Sequence, residues 1–427
     1  MKPDNKIWKW ITDNPIKGII LIGLSMRLII VLLYQYITIY PDSQGYIELA
    51  ERLLQLNLNG YEGERSPGYP MLISVVLQSN IILAFLQIIL GISSLIVGYK
   101  TLLLLGVKQN ISLVVILLFS LYIPVVFFEL AILSETLTLF VISLVFFFFF
   151  QGFLGEKNRV ALLVILCTYL VLIKPFYIFL PILLMIALWL KKRKAKYILI
   201  CIFPLFAFLG WSYVNKMNTG YFVSTTFYGF NLAQNCVSFA ENTTPEFQEI
   251  GDIYARYRDN RLTDKEEAMV IWEAYPELKE KTGISFPDLS HMLYEYSIAT
   301  IKKNPGCYLK QVFISWCDFW KTSFYWEPHN IAVPAGSHLI RYIAYAERIA
   351  FQLIKLLFIL LIPYNVIRAV RRKNITPPLI ISIVVLTASI LQAFITYGTN
   401  SRFSFPFELI MLISVALNMI EYQKKKT

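Results

Sequence analysis

Residues 41–70, PDSQGYIELAERLLQLNLNGYEGERSPGYP, decide how the chain is read. They follow directly on an apolar run, about Ile19 to Tyr36, that is long enough to cross a bilayer. Acids, arginines and aromatic rings crowd its end. Tyr46, Ile47, Ala50, Leu53, Leu54 and Leu58 recur mainly at spacings of three and four. That predicts a short amphipathic helix in the interface, with Glu48, Glu51 and Arg52 turned to water or a cavity. Glu64 and Arg65 come next, then Pro67-Gly68-Tyr69-Pro70, a turn before the next apolar run. A spacer has no need of this chemistry, and the loop reads as the floor of a site.

The rest of the composition agrees with a membrane setting. The 427 residues are 57% hydrophobic, with a mean hydropathy of +0.58 and long apolar runs between short basic clusters. A net charge of +11 would fit a nucleic-acid partner, but its distribution argues against one. About half of the 39 basic residues fall at Lys2, Lys6, Lys9, Lys17, Lys100, Lys108, Lys157, Arg159, Lys191 to Lys196, Arg368 to Lys373 and Lys424 to Lys426. These are the segments assigned to the cytoplasm by the excess of positive charge that inner loops carry. The histidines and cysteines show no metal-finger spacing, and Cys167 and Cys201 lie inside apolar runs as small hydrophobes. Cys236, Cys307 and Cys317 fall on the oxidising side, where one disulfide has room to form with its pairing open. Lysines precede the first apolar run without a small-residue cleavage site, so that run is expected to stay as an uncleaved span.

The apolar runs predict an all-α membrane protein of about ten transmembrane helices. After the first span come a second at about Ile81 to Leu105, a third from Ile111 to Phe128 with Pro124 marking its end, and a fourth from Thr136 to Phe150. Met71 to Gln78 is too short to cross. The fifth and sixth, about Val160 to Ile173 and Phe176 to Leu190, form a hairpin bent at Lys174-Pro175, and the seventh is about Tyr197 to Tyr213. Val214 to Arg341 mixes charges of both signs and predicts a small, mainly helical extracytoplasmic cap. Its last part, Leu289 to Trp326, is amphipathic and ends in Trp316, Trp320 and Trp326, as in a helix docked on the interface. The last spans are about Ile349 to Ile367, Pro378 to Tyr397 and Phe403 to Met419. The chain thus divides into a membrane module, 1–213, whose first loop is 39–70, an insert, 214–341, and a second membrane module, 342–427.

This topology brings Asp42, Glu64, Arg65, Glu129, Glu135, Lys174 and Arg402 to one membrane face. Ionisable groups there are costly unless paired or lining a polar cavity, so each is a site candidate. Cations beside acids suit a phosphorylated lipid, the cations holding phosphate and a carboxylate free to take a proton. Bland roles are also open to them. Asp42 would cap the helix that follows it, Glu135 would favour the amino end of the fourth span, and Lys174 would snorkel to the headgroups. Arg65 with its turn would anchor the interface. Arg402 is the better phosphate ligand because a planar guanidinium holds two oxygens. Arg27 and Lys355, inside spans, either pair within the bundle or line it. The tryptophans and the phenylalanine block read as lipid-facing or core, and Asn242-Thr243-Thr244 is a glycosylation acceptor only in a eukaryotic secretory membrane.

Four elements in order carry a family likeness: Asp42 with Tyr46, RSPGYP at Arg65 to Pro70, Ser134-Glu135, and RFSFPFE at Arg402 to Glu408. They resemble the polytopic glycosyltransferases of the GT-C type, nearest in pattern to the protein O-mannosyltransferase-like and lipid A aminoarabinose transferase-like enzymes. KNPGCYL at Lys303 to Leu309 is similar to a helix before the later spans of such proteins. Each motif is degenerate alone; their order and sidedness carry the likeness. The resemblance implies an enzyme that moves a hexose or pentose from a polyprenyl-phosphate donor to a lipid, glycan or protein acceptor, with inversion. It would work in cell-envelope glycan biosynthesis, in a bacterial plasma membrane, with its site facing outward. Asp42 would be the general base, with Glu135 as a second catalytic carboxylate; Arg402, Arg65 and Lys174 would hold the donor phosphate, and Tyr46, Glu64, Tyr69 and Glu129 would contact substrate. Glu64 matches an acidic position where a divalent metal ion can be held, which makes Asp42 and Glu64 the candidate ligands. Arg65 stands where a lysine is frequent, and the sequence identifies no histidine partner for Glu64.

Readings from other classes remain open. A transporter or flippase of lipid-linked sugar fits ten spans with buried charges, although paired halves with interrupted helices are not evident. A non-catalytic lipid-binding subunit would keep the cations and tolerate loss of Asp42. A polymerase or ligase using a diphosphate-linked oligosaccharide is the nearest neighbour of a single-sugar transferase.

Overall fold

The computed structural model describes residues 6–155, 159–261, 267–322, 325–327, 330–331, 334–398 and 400–423. Of the basic residues assigned to the cytoplasm, Lys2, Lys157 and Lys424 to Lys426 lie outside these. The helices are, in order, α1 (Lys6–Asp13), α2 (Pro15–Tyr34), α3 (Pro41–Leu54), α4 (Gly68–Val75), α5 (Asn80–Leu104), α6 (Gln109–Ser120), α7 (Ile123–Glu129), α8 (Glu135–Leu154), α9 (Val160–Ile173), α10 (Phe179–Lys192), α11 (Leu199–Thr219), α12 (Tyr228–Gln234), α13 (Gln248–Asp259), α14 (Val270–Thr282), α15 (Phe286–Lys303), α16 (Pro305–Phe319), α17 (Pro334–Arg372), α18 (Pro377–Ile395), α19 (Asn400–Ser404) and α20 (Glu408–Gln423).

The protein is an all-α membrane protein. Among the described residues eight helices are long and apolar enough to cross a bilayer, and the pair α6 and α7, bent by 59° at its break, would make a ninth. The run expected as the fifth span is α9, whose 14 residues rise only about 21 Å. The third span does not end at Pro124. The chain breaks at Leu121-Tyr122 and restarts, with Pro124 in the first turn of α7, where its missing N–H has no helical partner to lose. The freed Ile123 N–H donates to Glu347 at 2.8 Å.

Two further boundaries differ from expectation. The amphipathic run Leu289 to Trp326 is two helices, because Pro305 cannot continue α15 and opens α16 instead. Of these, α15 belongs to the insert, whereas Phe319 and Trp320 at the end of α16 join the membrane core and Trp316 Nε1 donates to Ser389 Oγ. The eighth span lies within α17, which already begins at Pro334 and runs for 39 residues. All five cysteines are free, so the disulfide that had room among Cys236, Cys307 and Cys317 does not form.

One apolar core runs from Ile19 through Phe146, Leu170 and Leu184 to Phe358, Val384 and Ile413, so the segments expected as separate membrane modules share a single interior. The insert has its own core, where Phe230 stacks on Trp272 and Phe286 and buries with Tyr254, Leu289 and Tyr296. Charges inside the bundle are matched. Arg27, 2% exposed, donates to fully buried Glu129 at 2.5 Å, and Lys355 donates to Glu408 at 2.8 Å, to Ser404 Oγ and to the Lys321 carbonyl. Gly91 makes room for the first pair, since a Cβ there would lie 1.7 Å from Glu129 Oε1.

Removing one member of a buried pair strands the other, at a cost of about 3–5 kcal/mol, whereas replacing both with apolar residues is often neutral. Arg27→Met is therefore expected to lower the thermal midpoint in detergent markedly, and Arg27→Met combined with Glu129→Leu to recover most of the loss. Additive losses in the double variant would contradict the pairing.

Candidate functional site

Local geometry places the carboxylates first. Pro41 opens α3 with Asp42 in its first turn, and the Tyr40 N–H donates to Ser43 Oγ at 2.9 Å. Asp42 does not cap the helix; its oxygens turn elsewhere. The strand-like segment before α3 is stitched to the turn before α8: Thr38 N–H donates to the Leu130 carbonyl, Ile132 N–H to the Thr38 carbonyl, and Ser43 Oγ to the Ile132 carbonyl. Gln87, inside α5, donates to the carbonyls of Glu129 and Ala131 and accepts from the Tyr69 hydroxyl at 2.9 Å. These bonds fix the start of α8, and so Glu135, against the start of α3, and so Asp42.

The cations close the gap. Arg402 donates through Nε to Glu135 Oε1 and through Nη1 to Asp42 Oδ2, both at 2.6 Å. Lys174 Nζ lies 2.7 Å from Glu135 Oε1, and Arg65 Nη2 lies 2.9 Å from Asp42 Oδ1. The result is a ladder, Arg65–Asp42–Arg402–Glu135–Lys174, with one more cation than carboxylate. Glu135 is fully buried and Lys174 and Arg402 nearly so, whereas Asp42, at 37% exposed, is the most accessible member.

Arg65 is held by more than its ion pair with Asp42, although its buried Nε has no hydrogen-bond partner among the described residues. Its guanidinium lies between the rings of Tyr46, at 4.9 Å, and Phe227, at 4.5 Å. Its N–H donates to the Tyr61 hydroxyl, which donates in turn to the Arg65 carbonyl. The helix beneath must be bare at Gly45, where a Cβ would meet Arg65 Nε at 2.9 Å. From the insert, Thr225 and Thr226 donate through their hydroxyls to the carbonyls of Glu64 and Glu62, and Thr226 N–H donates to the Gly63 carbonyl.

Of the residues singled out in the sequence, Asp42, Arg65, Glu135, Lys174 and Arg402 meet in this ladder. Tyr46 supports it as a ring beneath Arg65. Tyr69 is fully buried against Tyr46 and Gln87, which makes it a positioning residue rather than a substrate contact. Glu129 is fully buried and belongs to Arg27, away from the ladder, so it is not available to a substrate. Glu64 is half-buried beside Gly45, and its carboxylate has no hydrogen bond or ion pair among the described residues. Sequence reasoning passed over Gln87, Thr225, Thr226 and Phe227. An amide inside the otherwise apolar α5 was a usable signal for the first, whereas nothing in the sequence of the insert marked the other three.

Burial by itself would raise the Asp42 pKa, but the charges of Arg402 and Arg65 outweigh it and hold the carboxyl well below the usual range. Burial raises Glu64, and neighbouring Arg65 only partly offsets it. A resident divalent cation does not fit here. Both Asp42 oxygens already face guanidiniums, and no group of three or more potential metal-ligating side chains is assembled among the described residues. No family model and no curated protein matches the chain.

A carboxyl whose pKa is raised on folding costs stability once pH rises through its unfolded value, about 4.3, and through the higher folded value. Glu64→Gln is therefore expected to raise the thermal midpoint at pH 8 and to leave it unchanged below about pH 4. The same gain at both pH values would contradict the assignment.

Proposed function

We propose that the chain is a membrane glycosyltransferase that moves a sugar from a polyprenyl-phosphate donor to an acceptor hydroxyl at this ladder. The observation that carries the reading is Asp42, part-exposed and bridged by two guanidiniums, in a network with one positive charge in excess. A sugar–phosphate–lipid diester carries one negative charge, which that excess neutralises. Its phosphate competes with Asp42 for Arg65 and Arg402, and a carboxylate relieved of two guanidiniums becomes a better base.

The acceptor oxygen then attacks the anomeric carbon while its proton passes to Asp42. The anomeric C–O bond breaks with its electron pair going to the phosphate oxygen. Negative charge on the leaving phosphate grows during this step, so the cations bind it more strongly in the transition state than in the ground state. Glu135, fully buried, acts by holding Arg402 and Lys174 rather than by touching substrate. Attack opposite the leaving phosphate gives inversion. The first loop and insert face outward, consistent with basic clusters at the opposite helix ends, and a bacterial plasma membrane is the proposed location.

A second reading, movement of lipid-linked sugar across the bilayer, draws on the 59° break between α6 and α7, since interrupted helices line transport sites. Reconstituted liposomes with radiolabelled polyprenyl-phosphate sugars separate the two. Asp42→Asn is expected to reduce transfer about 100- to 10,000-fold while donor binding persists. Translocation without transfer, indifferent to Asp42, would replace the enzyme by a flippase. Arg402→Ala is expected to raise the donor concentration needed for half-maximal rate; an unchanged donor dependence would move the phosphate site elsewhere.

A further inference from the structure

The segment that latches onto Arg65 has a second side. Phe227 stacks on Arg65, and its chain neighbour Tyr228 turns to α15, where its hydroxyl hydrogen-bonds His291 Nδ1 at 2.9 Å. Tyr221 leans on the same imidazole with ring centroids 4.8 Å apart, and its hydroxyl donates to Asp288 at 2.8 Å. Tyr294, one helical turn along α15, packs its ring 5.4 Å from Tyr228 and is 39% exposed. Beyond it the surface opens into a groove of about 650 Å³, whose walls include Tyr294, Glu295, Glu246 and Lys302.

We propose that this aromatic shelf and groove bind a saccharide, and that it is the acceptor glycan of the transfer reaction; the second clause rests on the transferase reading, the first does not. A pyranose ring offers an apolar C–H face and a rim of hydroxyls. The shelf offers tilted ring faces bordered by carboxylates and an ammonium, a match of apolar body and polar edge. The other occupants fit less well. A lipid tail needs a continuous apolar wall, whereas both signs of charge line this groove. A nucleic acid needs a cationic excess, and Glu246 and Glu295 stand against Lys302 and Lys303. The position also suits an acceptor, because Tyr228 of the shelf is the chain neighbour of Phe227, whose ring packs on Arg65.

The test is fluorescence anisotropy with the full chain in nanodiscs, using labelled hexasaccharides of neutral hexose and of N-acetylhexosamine, and a peptide of matched length. Saturable binding of a hexasaccharide is expected. Tyr294→Ala should weaken it about tenfold and Tyr294→Phe should leave it unchanged, because the stacked ring and not the hydroxyl carries the contact. Tyr294 is exposed, so a folding defect is not expected, and an unchanged thermal midpoint checks this. Absence of saccharide binding, binding indifferent to Tyr294→Ala, or preference for the peptide would each overturn the proposal. Saccharide binding without transfer from any polyprenyl-phosphate sugar would retain the subsite and reject the transferase.

Discussion

A fully buried carboxylate at the head of a membrane helix is tolerable only if cations come to it. Glu135 is that group, and the structure around it follows from the need to deliver Arg402 and Lys174 within hydrogen-bond reach. Lys174 arrives from the turn where Pro175 follows the end of α9, and Arg402 from α19, which Lys355 ties down through Ser404. Arg402 has a second donor edge to spare, and Asp42 takes it. The chain of pairings then leaves the low-dielectric interior and reaches solvent at Asp42, where α3 lies on the bundle. Charge pairing thus propagates from a deep, immobile carboxylate to a shallow, accessible one.

Much of this is legible in the sequence. Apolar runs located each of the eight helices long and apolar enough to cross a bilayer, and period-three-and-four spacing located α3, because in a membrane backbone groups must bond within their own segment. The charged residues were legible as a set for the related reason that ionisable groups are rare there. What could not be read was pairing. Glu129 and Glu135 flank one short turn and look equivalent in sequence, yet one closes on Arg27 and the other on Arg402 and Lys174. The break at Tyr122 was equally hidden. It depends on Glu347, 224 positions away, to accept the freed N–H.

The insert illustrates a different limit. Its mixed charges announce exposure and its helices are expected, but its contact with the first loop is made by two threonines and a phenylalanine with no distinctive pattern around them. Their importance arises from where α11 ends and α12 begins, which fixes a short linking segment over the first loop. The insert is therefore better described as a wall of the site than as a separate module resting on it.

That wall recognises main chain. Thr225 and Thr226 bond to the carbonyl oxygens and not to the side chains of residues 62–64, with Gly63 at a positive φ of 77° supplying the bend that presents them. Positions 62 and 64 can therefore change identity while the latch holds, so a lineage is free to retune the charge at the mouth of the site without loosening its frame. Gly63 has no such freedom, since its conformation favours glycine and a Cβ would strike Thr226. Substitutions accumulated over evolutionary drift should be plentiful on either side of that glycine and scarce at it.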